Sequence, residues 1–400
     1  MTIEIAAPRE EHRDQVADVL RVSLNLPSTH QRERAARIPL HKMLCAFDDE
    51  RVVATAGARD FRQWFGGSEL AMSGIWGVAT LPEYRGTGLA TRAVSELLQV
   101  AKAKGQPISA LFPATLRPYR KLGYELAGTF TRHEVSLDDL PAGTAGPLEV
   151  SEIDLPADLD AVCACYRRAV SYHAGPIECD EPGWWTERIL SPLFTDDVHR
   201  AVVARAEDGG VEGYASFEQP YVEGDLDVAF RIDCKHLVAS SVDGLASLLS
   251  YFRGFRGLGQ SLRFTGPPAH PLALLVEEQR VRPVWTFRWM LRLLDVPTAL
   301  EQRGYPEVSG EAVVAVEDEL FPENRGPWQV VADAGTVKVA RADATAAAGV
   351  RPIAIGTLSS IYTGFLSALD AAGLGLISAE AAPMLASLFS GPAPWMYDFF

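Results

Sequence analysis

The sequence predicts an α/β (α+β) protein of three successive domains. The first observation is length, because 400 residues suggest two or three domains of ordinary size. The second is an alternation of short apolar strands and amphipathic helices in three blocks, at residues 1–147, 148–283 and 284–400. The third is composition, since 48% hydrophobic and 22% charged residues allow sizeable cores and exclude a largely disordered chain.

In the first block, strand and helix patterns lead into a glycine-containing turn and out of it again. Strands are predicted at 3–5, 43–47, 52–56, 71–80 and 108–112. A helix is predicted over 9–24, where Val16, Val19 and Leu20 share one face, and another over 90–101, up to Gly105. A short helix at 116–122 ends at Gly123, and the Pro-, Gly- and Ala-rich stretch 140–147 is a predicted linker.

The second block repeats this order of elements weakly, and the third block differs from both. The second has predicted strands at 148–153, 201–204, 213–217, 225–237 and 262–265, with helices at 157–170 and 242–255. The third has predicted strands at 284–293, 312–316, 328–332 and 336–340, then helices at 355–369 and 379–388. The first two blocks agree in element order and not in residues, so an internal duplication is a hypothesis.

Charge, cysteines and hydropathy narrow the function classes. The net charge of −15 disfavours a nucleic-acid partner, because phosphate contacts need clustered Lys and Arg, and it suits a cationic partner. Five sparsely spaced cysteines argue against a disulfide scaffold, and no histidine spacing indicates a metal site. The N-terminus has no secretory pattern and no long apolar run occurs, so we expect a soluble cytoplasmic protein without a membrane partner.

The chemical signal lies in residues 78–90. A buried strand runs into Arg85-Gly86-Thr87-Gly88 and directly into an amphipathic helix. Free backbone N–H groups and the positive end of the helix dipole meet at such a point, and glycine lets an anion approach the backbone closely. The spacing fits neither a dinucleotide fingerprint nor a P-loop, and a plain strand-to-helix turn is the alternative interpretation.

Two motifs connect this segment to a known superfamily. Arg85-x-x-Gly88-x-Ala90, after a Val-Ala-x-x-Pro strand, resembles the pyrophosphate loop of the GNAT N-acetyltransferases, and Tyr119-x-x-x-Gly123-Tyr124 resembles the element that ends their core. The chain length, the single intact loop and the terminal Trp-x-x-Asp-Phe-Phe are similar to the Eis (enhanced intracellular survival) acetyltransferases. This resemblance implies a GNAT domain at 1–147, a degenerate GNAT-like domain at 148–283 and a sterol-carrier-protein-like α+β domain at 284–400.

The resemblance also implies an activity and a set of site residues. The expected reaction is N-acetylation of cationic small-molecule amines, aminoglycosides and polyamines among them, by acetyl-CoA, in a homo-oligomer that is a hexamer in the family. The residues implied to hold acetyl-CoA are Val78, Ala79, Thr80, Arg85, Gly86, Thr87, Gly88, Leu89 and Ala90. Tyr124 is the candidate general acid, because a phenol pKa of about 10 is close to that of a thiol. The terminal carboxylate of Phe400 is the implied base, and Trp76, Glu125 and Asp398 are candidate substrate contacts.

Two alternatives stay open at this point. Beside the expected acetylation of small cationic amines, the first alternative is a GNAT enzyme that acetylates peptide or lysine amines. The second is a non-catalytic lipid- or ligand-binding protein built on the third block. An apolar tunnel near residues 355–369 would favour the second of these. The loop also contains fewer arginines than in many Eis proteins, which predicts weaker but preserved coenzyme binding.

Overall fold

The computed structural model describes residues 3–26, 29–141, 146–181, 183–193, 195–223 and 228–400. The chain forms two compact units, of which the first comprises residues 1–128, 288–392 and 400 and the second comprises 129–287 and 393–399. Each unit is therefore assembled from segments that are distant in sequence. The three domain ranges predicted from the sequence stay predictions beside this division.

The secondary structure confirms the mixed α/β class. The strands are β1 Ile3–Ala6, β2 Met43–Asp48, β3 Arg51–Phe65, β4 Ser68–Thr80, β5 Ile108–Leu111, β6 Glu125–Ser136, β7 Glu149–Glu152, β8 Ala174–Glu178, β9 Val198–Arg205, β10 Val211–Gln219, β11 Phe230–Ala239, β12 Gly259–Gly266, β13 Arg282–Leu293, β14 Gly310–Glu317, β15 Gly326–Asp333, β16 Thr336–Arg341 and β17 Pro352–Ala354. The helices are α1 Arg13–Leu24, α2 Gln31–Ala36, α3 Leu89–Ala103, α4 Arg117–Arg120, α5 Leu159–Val170, α6 Val242–Arg253, α7 Val296–Gln302, α8 Ile355–Thr363, α9 Ala368–Gly373 and α10 Ala382–Leu388.

The first unit contains a sheet in the order β1-β2-β3-β4-β5, to which residues 288–293 of β13 add an antiparallel strand beside β5. The predicted helix at 90–101 is confirmed as α3, whose buried face includes Val94, Leu97 and Leu98. These side chains pack on the sheet residues Ala56 and Ile75, so apolar burial fixes the position at which α3 begins. That position is the end of β4, where the chemical signal was predicted.

A smaller sheet in the first unit has the order β16-β15-β14-β17. The single helix predicted over 355–369 is wrong, because the chain forms α8 and α9 there. Gly364 takes a φ of +84° and ends α8, and the Ser367 side chain then accepts a hydrogen bond from the Leu369 N–H and caps α9. Apolar periodicity continues across this break, which is why the pattern alone predicted one helix.

The second unit has a sheet in the order β6-β12-β11-β10-β9-β7, and among its described strands only β11 and β12 run parallel. The chain's last segment is fixed to it, since Trp395 N–H donates to the Ala174 carbonyl at 2.9 Å and Met396 N–H to the Thr129 carbonyl at 3.0 Å. The strand predicted from 225 begins at Phe230. Residues 225–227 lie outside the described residues, as do residues 142–145 of the predicted linker.

Candidate active site

The turn between β4 and α3 has the geometry that its glycines allow. Gly86 and Gly88 have φ angles of +80° and +81°, a left-handed conformation that only glycine adopts without strain. A Cβ atom at either position would meet nothing within 4 Å, so backbone conformation and not crowding requires glycine. Thr87 Oγ1 donates a 2.6 Å hydrogen bond to the Tyr84 carbonyl and closes the turn. Because α3 begins at Leu89, the free N–H groups of its first residues lie at this turn.

A cavity of about 530 Å³ opens beside the turn. Of the residues predicted to hold acetyl-CoA, those on its wall are Val78, Ala79, Thr80, Arg85, Gly86, Gly88, Leu89 and Ala90. Thr87 is not among the lining residues, in keeping with its hydrogen bond inside the turn. Ser23 and Leu24 at the end of α1 also line the cavity, and Ser23 Oγ donates a 3.0 Å hydrogen bond to the Thr80 carbonyl.

Two further cations on this wall were missed by the sequence reasoning. Arg117 and Lys121 line the cavity together with Arg85, and all three are exposed. Within the described residues none of them makes an ion pair, so their charges act on the cavity. The available signal was the run of basic residues before Gly123, which was assigned only to a short helix. The cavity is therefore more basic than the turn sequence alone indicates.

The pairing of β4 with β5 ends before the cavity begins. The two strands pair in parallel as far as Ile75 and Leu111, where β5 stops. Gly77 then takes a φ of +58°, opposite a register shift in β3, and its carbonyl accepts a 2.8 Å hydrogen bond from Thr55 Oγ1. The register shift is a β-bulge in the pairing of β3 with β4. It lies just before residues 78–80, which line the cavity beyond the end of the pairing of β4 with β5.

Tyr124 is buried, with 1% of its surface exposed, and among the described residues its hydroxyl has one polar partner. Its hydroxyl lies 2.6 Å from Ser109 Oγ, which donates to the Ser73 carbonyl at 2.7 Å. Since the serine has one proton and uses it on Ser73, the phenol donates to Ser109. Burial raises the pKa of Tyr124, while the Ser109 hydrogen bond lowers it only in part, so the phenol is neutral at pH 7. Tyr124 is not itself on the cavity wall, although Tyr119 and Leu122 are.

The segment that leads to Tyr124 is held by a buried ion pair. Arg292 donates to the Leu122 carbonyl at 2.5 Å and to both carboxylate oxygens of Asp318 at 2.8 and 2.9 Å. Both charged side chains are fully buried. Gly123 has a φ of +82°, and a Cβ atom there would lie 1.8 Å from the Arg292 guanidinium. Glycine is therefore required here for both conformation and space.

Phe400 lies against β4 and β5, the two strands whose residues Ser73 and Ser109 connect to Tyr124. Its ring is 4.8 Å from the Phe61 ring and 5.5 Å from the Phe112 ring, and a Cβ atom on Gly74 would come within 2.8 Å of it. Gly74 follows Ser73 on β4, so Phe400 and Tyr124 meet consecutive residue pairs of β4 and β5. Because successive side chains alternate, Tyr124 lies on the α3 face of the sheet and Phe400 on the other.

Trp76 and Glu125, two of the predicted substrate contacts, both have partners within the first unit. Trp76 packs over Gly57, where a Cβ atom would overlap its ring, and the Arg59 guanidinium lies 5.3 Å from the ring centroid. Glu125 accepts two hydrogen bonds from Arg120, at 2.9 and 2.7 Å, which largely offset its charge. Their roles towards a substrate stay predictions.

Asp398 is in the interior of the second unit, with 4% of its surface exposed. Its carboxylate lies 3.3 Å from His236 Nε2. Desolvation opposes ionisation, but the charge and hydrogen bond of His236, with Arg188 and Lys235, hold the pKa of Asp398 below its usual value. Its observed partner is thus a histidine, and direct attraction of a substrate ammonium stays a prediction.

The corresponding turn in the second unit differs chemically. There α6 is capped by Ser241, whose hydroxyl accepts a 3.1 Å hydrogen bond from the Gly244 N–H, and Asp243 occupies the first turn. One free N–H group is already satisfied and a carboxylate stands where an anion would approach. This turn is therefore less suited to an anion than the turn before α3.

Within the described residues, no three or more His, Cys, Asp or Glu side chains are placed together to hold a metal ion. All five cysteines are free thiols. Among the helices of the described residues, none combines the length and apolar character that a membrane crossing requires.

Comparisons with known proteins agree on the architecture. Residues 4–127 and 180–293 each match a family model described as an acetyltransferase (GNAT) domain, and residues 296–397 match a sterol carrier protein domain. The tandem GNAT regions and the sterol-carrier-like domain predicted from the sequence are therefore confirmed.

Individual relatives are similar over most of the chain. An uncharacterized N-acetyltransferase of Streptomyces coelicolor is 28% identical over 362 residues, covering 87% of this chain and 86% of its own. The N-acetyltransferase Eis of Mycobacterium tuberculosis is 26% identical over 268 residues, covering 62% of this chain and 61% of its own. The crystal structure of a GCN5-related N-acetyltransferase from Anabaena variabilis has a TM-score of 0.90 at 25% identity, with all of both chains covered.

Proposed function

The chain is an Eis-like GNAT N-acetyltransferase, and on that premise we propose that it transfers the acetyl group of acetyl-CoA to an amine of a small cationic molecule. The observation that carries the proposal is the cavity of about 530 Å³ at the start of α3, with its glycine turn and three cations. Aminoglycosides and polyamines are the amines named by the family resemblance. We extend the proposal to a cytoplasmic homo-oligomer, a hexamer by the same resemblance, without nucleic-acid or membrane partners.

The residues on the cavity wall suit the diphosphate of acetyl-CoA. The N–H groups at the start of α3 and the left-handed Gly86 and Gly88 offer donors to phosphate oxygens. Arg85, Arg117 and Lys121 add positive charge to the cavity wall. The last two compensate for the small number of arginines in the turn itself, so we expect coenzyme binding to be retained.

The chemistry is a direct attack across the end of the paired strands. The amine nitrogen attacks the thioester carbonyl carbon, the C–N bond forms, and the C–S bond breaks as the thiolate leaves. The Phe400 carboxylate takes the proton from the attacking nitrogen, and the Tyr124 hydroxyl gives its proton to the sulfur. A backbone N–H at Val78 or Thr80 stabilises the oxyanion, and removing such a donor typically costs about 3 kcal/mol in the barrier.

The positions of the two proton carriers support this assignment. Tyr124 lies on the α3 face of the sheet, the side of the coenzyme cavity, whereas Phe400 lies on the other face. The two residues meet consecutive pairs of β4 and β5, within two residues of Ile75 and Leu111, where the pairing ends and the strands open. An acceptor amine that approaches from the face of Phe400 would therefore meet a thioester presented from the face of α3.

The lipid-binding alternative has less support. An apolar tunnel would lie near residues 355–369, but the side chains of α8 occupy the interior there, with Leu358, Ile361 and Tyr362 buried. The cavity lined by residues of β14 and α10 holds only about 10 Å³, which is the space of one water molecule. An acceptor that is a peptide or lysine amine remains the second candidate, and the amine panel below separates the two.

The test is thiol release from acetyl-CoA by the full chain, measured against a panel of aminoglycosides, polyamines and lysine peptides. The proposal expects turnover with cationic small molecules, and turnover confined to peptides would select the alternative. A variant with four residues added after Phe400 should lose turnover at an unchanged unfolding midpoint, because the base would no longer be the terminal carboxylate. The control has the same residues added at the N-terminus, and full activity of the C-terminal extension would contradict the assigned base.

A further inference from the structure

A second cavity, of about 520 Å³, lies wholly within the second unit. Its wall is formed by Phe130 and Arg132 of β6, Arg263 of β12, Val284 and Trp285 of β13, and Phe399. A volume of this size is typical of sites that bind small molecules. The proposed acetyl transfer assigns no role to this wall.

One side of the cavity is aromatic. The Phe130 ring lies 5.6 Å from the Trp285 ring and 6.4 Å from the Phe399 ring, edge to face in both cases. Phe287 extends the group, parallel to Trp285 at 5.7 Å and 5.9 Å from Phe399. Trp285 and Phe399 are each 46% exposed, so part of each ring is available to a bound group. Rings of this arrangement favour a planar aromatic ligand.

The other side is basic. Arg263 donates from Nε and Nη2 to Glu134 Oε2 at 3.0 and 2.6 Å, so its charge is largely offset. Arg132 is exposed, and among the described residues its side chain has no hydrogen bond or ion pair. A guanidinium recognises a carboxylate through two parallel hydrogen bonds. Arg132 is therefore the group on this wall that lacks an internal counterion.

Further cations surround Phe399. The Arg188 guanidinium donates to the Phe399 carbonyl, and Lys235 Nζ donates to the Arg188 carbonyl. Desolvation of the ammonium, followed by the charges of Arg188 and Arg132, lowers the pKa of Lys235, whereas Asp398 raises it. These cations stand beside the carboxylate of Asp398, and Glu134 and Asp233 face Arg263. Arg132 is therefore the charge on this wall that favours an anion over a cation.

We propose that this cavity is a binding site for a planar aromatic carboxylate. The ring of the ligand lies against Trp285 and Phe399, and its carboxylate pairs with Arg132. An aliphatic carboxylate would leave the rings without a partner, and an aromatic cation would face the guanidinium groups. Binding needs neither acetyl-CoA nor turnover, so the proposal stands apart from the proposed function.

The test is isothermal titration calorimetry on the full chain without acetyl-CoA, with indole-3-acetate as the probe. This probe has no basic amine, so its binding cannot be confused with acetylation. We expect one site per chain, and binding at least about tenfold weaker for indole-3-acetamide, its neutral analogue, because a hydrogen bond to a charged group is worth that factor or more. Cyclohexylacetate and spermidine should bind more weakly still.

Two variants locate the site. Arg132→Gln and Trp285→Leu should each weaken the probe at least about tenfold, whereas Arg256→Gln, which removes an exposed arginine elsewhere in the second unit, should leave it unchanged. Equal unfolding midpoints of all three variants would show that the fold is kept. The proposal is overturned by absent binding, by equal affinity for the amide, or by an Arg132 variant that binds as wild type. It is also overturned if Trp285→Leu changes the oligomeric mass while the wild type binds no probe, because the face would then be a contact between copies.

Discussion

The buried pair of Arg292 and Asp318 gives a prediction whose size can be worked out from its contacts. Replacing Asp318 by alanine removes the acceptor of the Arg292 bonds and of hydrogen bonds from Leu320 N–H, Phe321 N–H and Asn324 Nδ2, at 2.9–3.1 Å. Removing one partner of a buried ion pair costs about 3–5 kcal/mol, because the remaining charge is left without compensation. We expect a loss of stability at the upper end of that range.

The reverse substitution should cost less. In Arg292→Met, Asp318 keeps its two backbone donors and Asn324, so its carboxylate stays satisfied, and the main loss is the bond to the Leu122 carbonyl. One unsatisfied buried acceptor costs about 1–3 kcal/mol. Adding Arg292→Met to Asp318→Ala should then restore part of the stability, since no charge remains buried alone.

The assay is urea unfolding of wild type, both single variants and the double variant. The stability loss of the double variant should be smaller than the summed losses of the two single variants. A loss equal to or larger than that sum would refute the reasoning, because independent residues give additive effects. The control pair is Arg62 and Glu69, joined at 2.9 Å but partly exposed on β3 and β4, where Glu69→Ala should cost no more than about 1 kcal/mol. Because Arg292 holds the segment before Tyr124, Arg292→Met should also lower kcat more than it raises KM.

The remaining predictions concern the proposed site and its support. Tyr124→Phe should reduce kcat by about 10² to 10⁴, because it removes the proton donor. Its loss of stability should be about 1 kcal/mol, because Ser109 keeps its other hydrogen bond. Steady-state kinetics and urea unfolding measure the two effects, and an unchanged kcat would argue against an acid role. Gly88→Ala, at a φ of +81°, should cost about 1–2 kcal/mol by conformational strain alone and raise the KM for acetyl-CoA, whereas an unchanged KM would remove the turn from the coenzyme site. The pKa of Asp398 is held below its ordinary value of 3.8, so this carboxylate stabilises the fold above that pH, and the contribution is lost as the pH falls below it. The urea midpoint of the wild type should therefore fall between about pH 5 and pH 3, and it should fall less in Asp398→Asn, which cannot ionise beside His236. Parallel curves of urea midpoint against pH for the two proteins would contradict this.

The sequence by itself determined the local features of this protein. The glycines at 86 and 88, the strand before them and the apolar face of α3 predicted a strand, a turn and a helix suited to an anion. The structure has the strand, the left-handed glycines and the helix at the predicted residues. Such features are readable because backbone conformation and helical periodicity depend on residues a few positions apart. The tandem architecture was implied by the family resemblance, because the local pattern alone left an internal duplication as a hypothesis.

Tertiary structure alone decided which distant residues share a site. Nothing near Phe400 in sequence indicates that its ring lies on Gly74, nor that Arg117 joins Arg85 on one cavity wall. The Arg292–Asp318 pair and the carboxylate of Asp398 bound to His236 are likewise long-range contacts. The reason is physical: burial of apolar surface fixes how strands and helices pack, and only that packing brings charges from separate segments within a few ångströms.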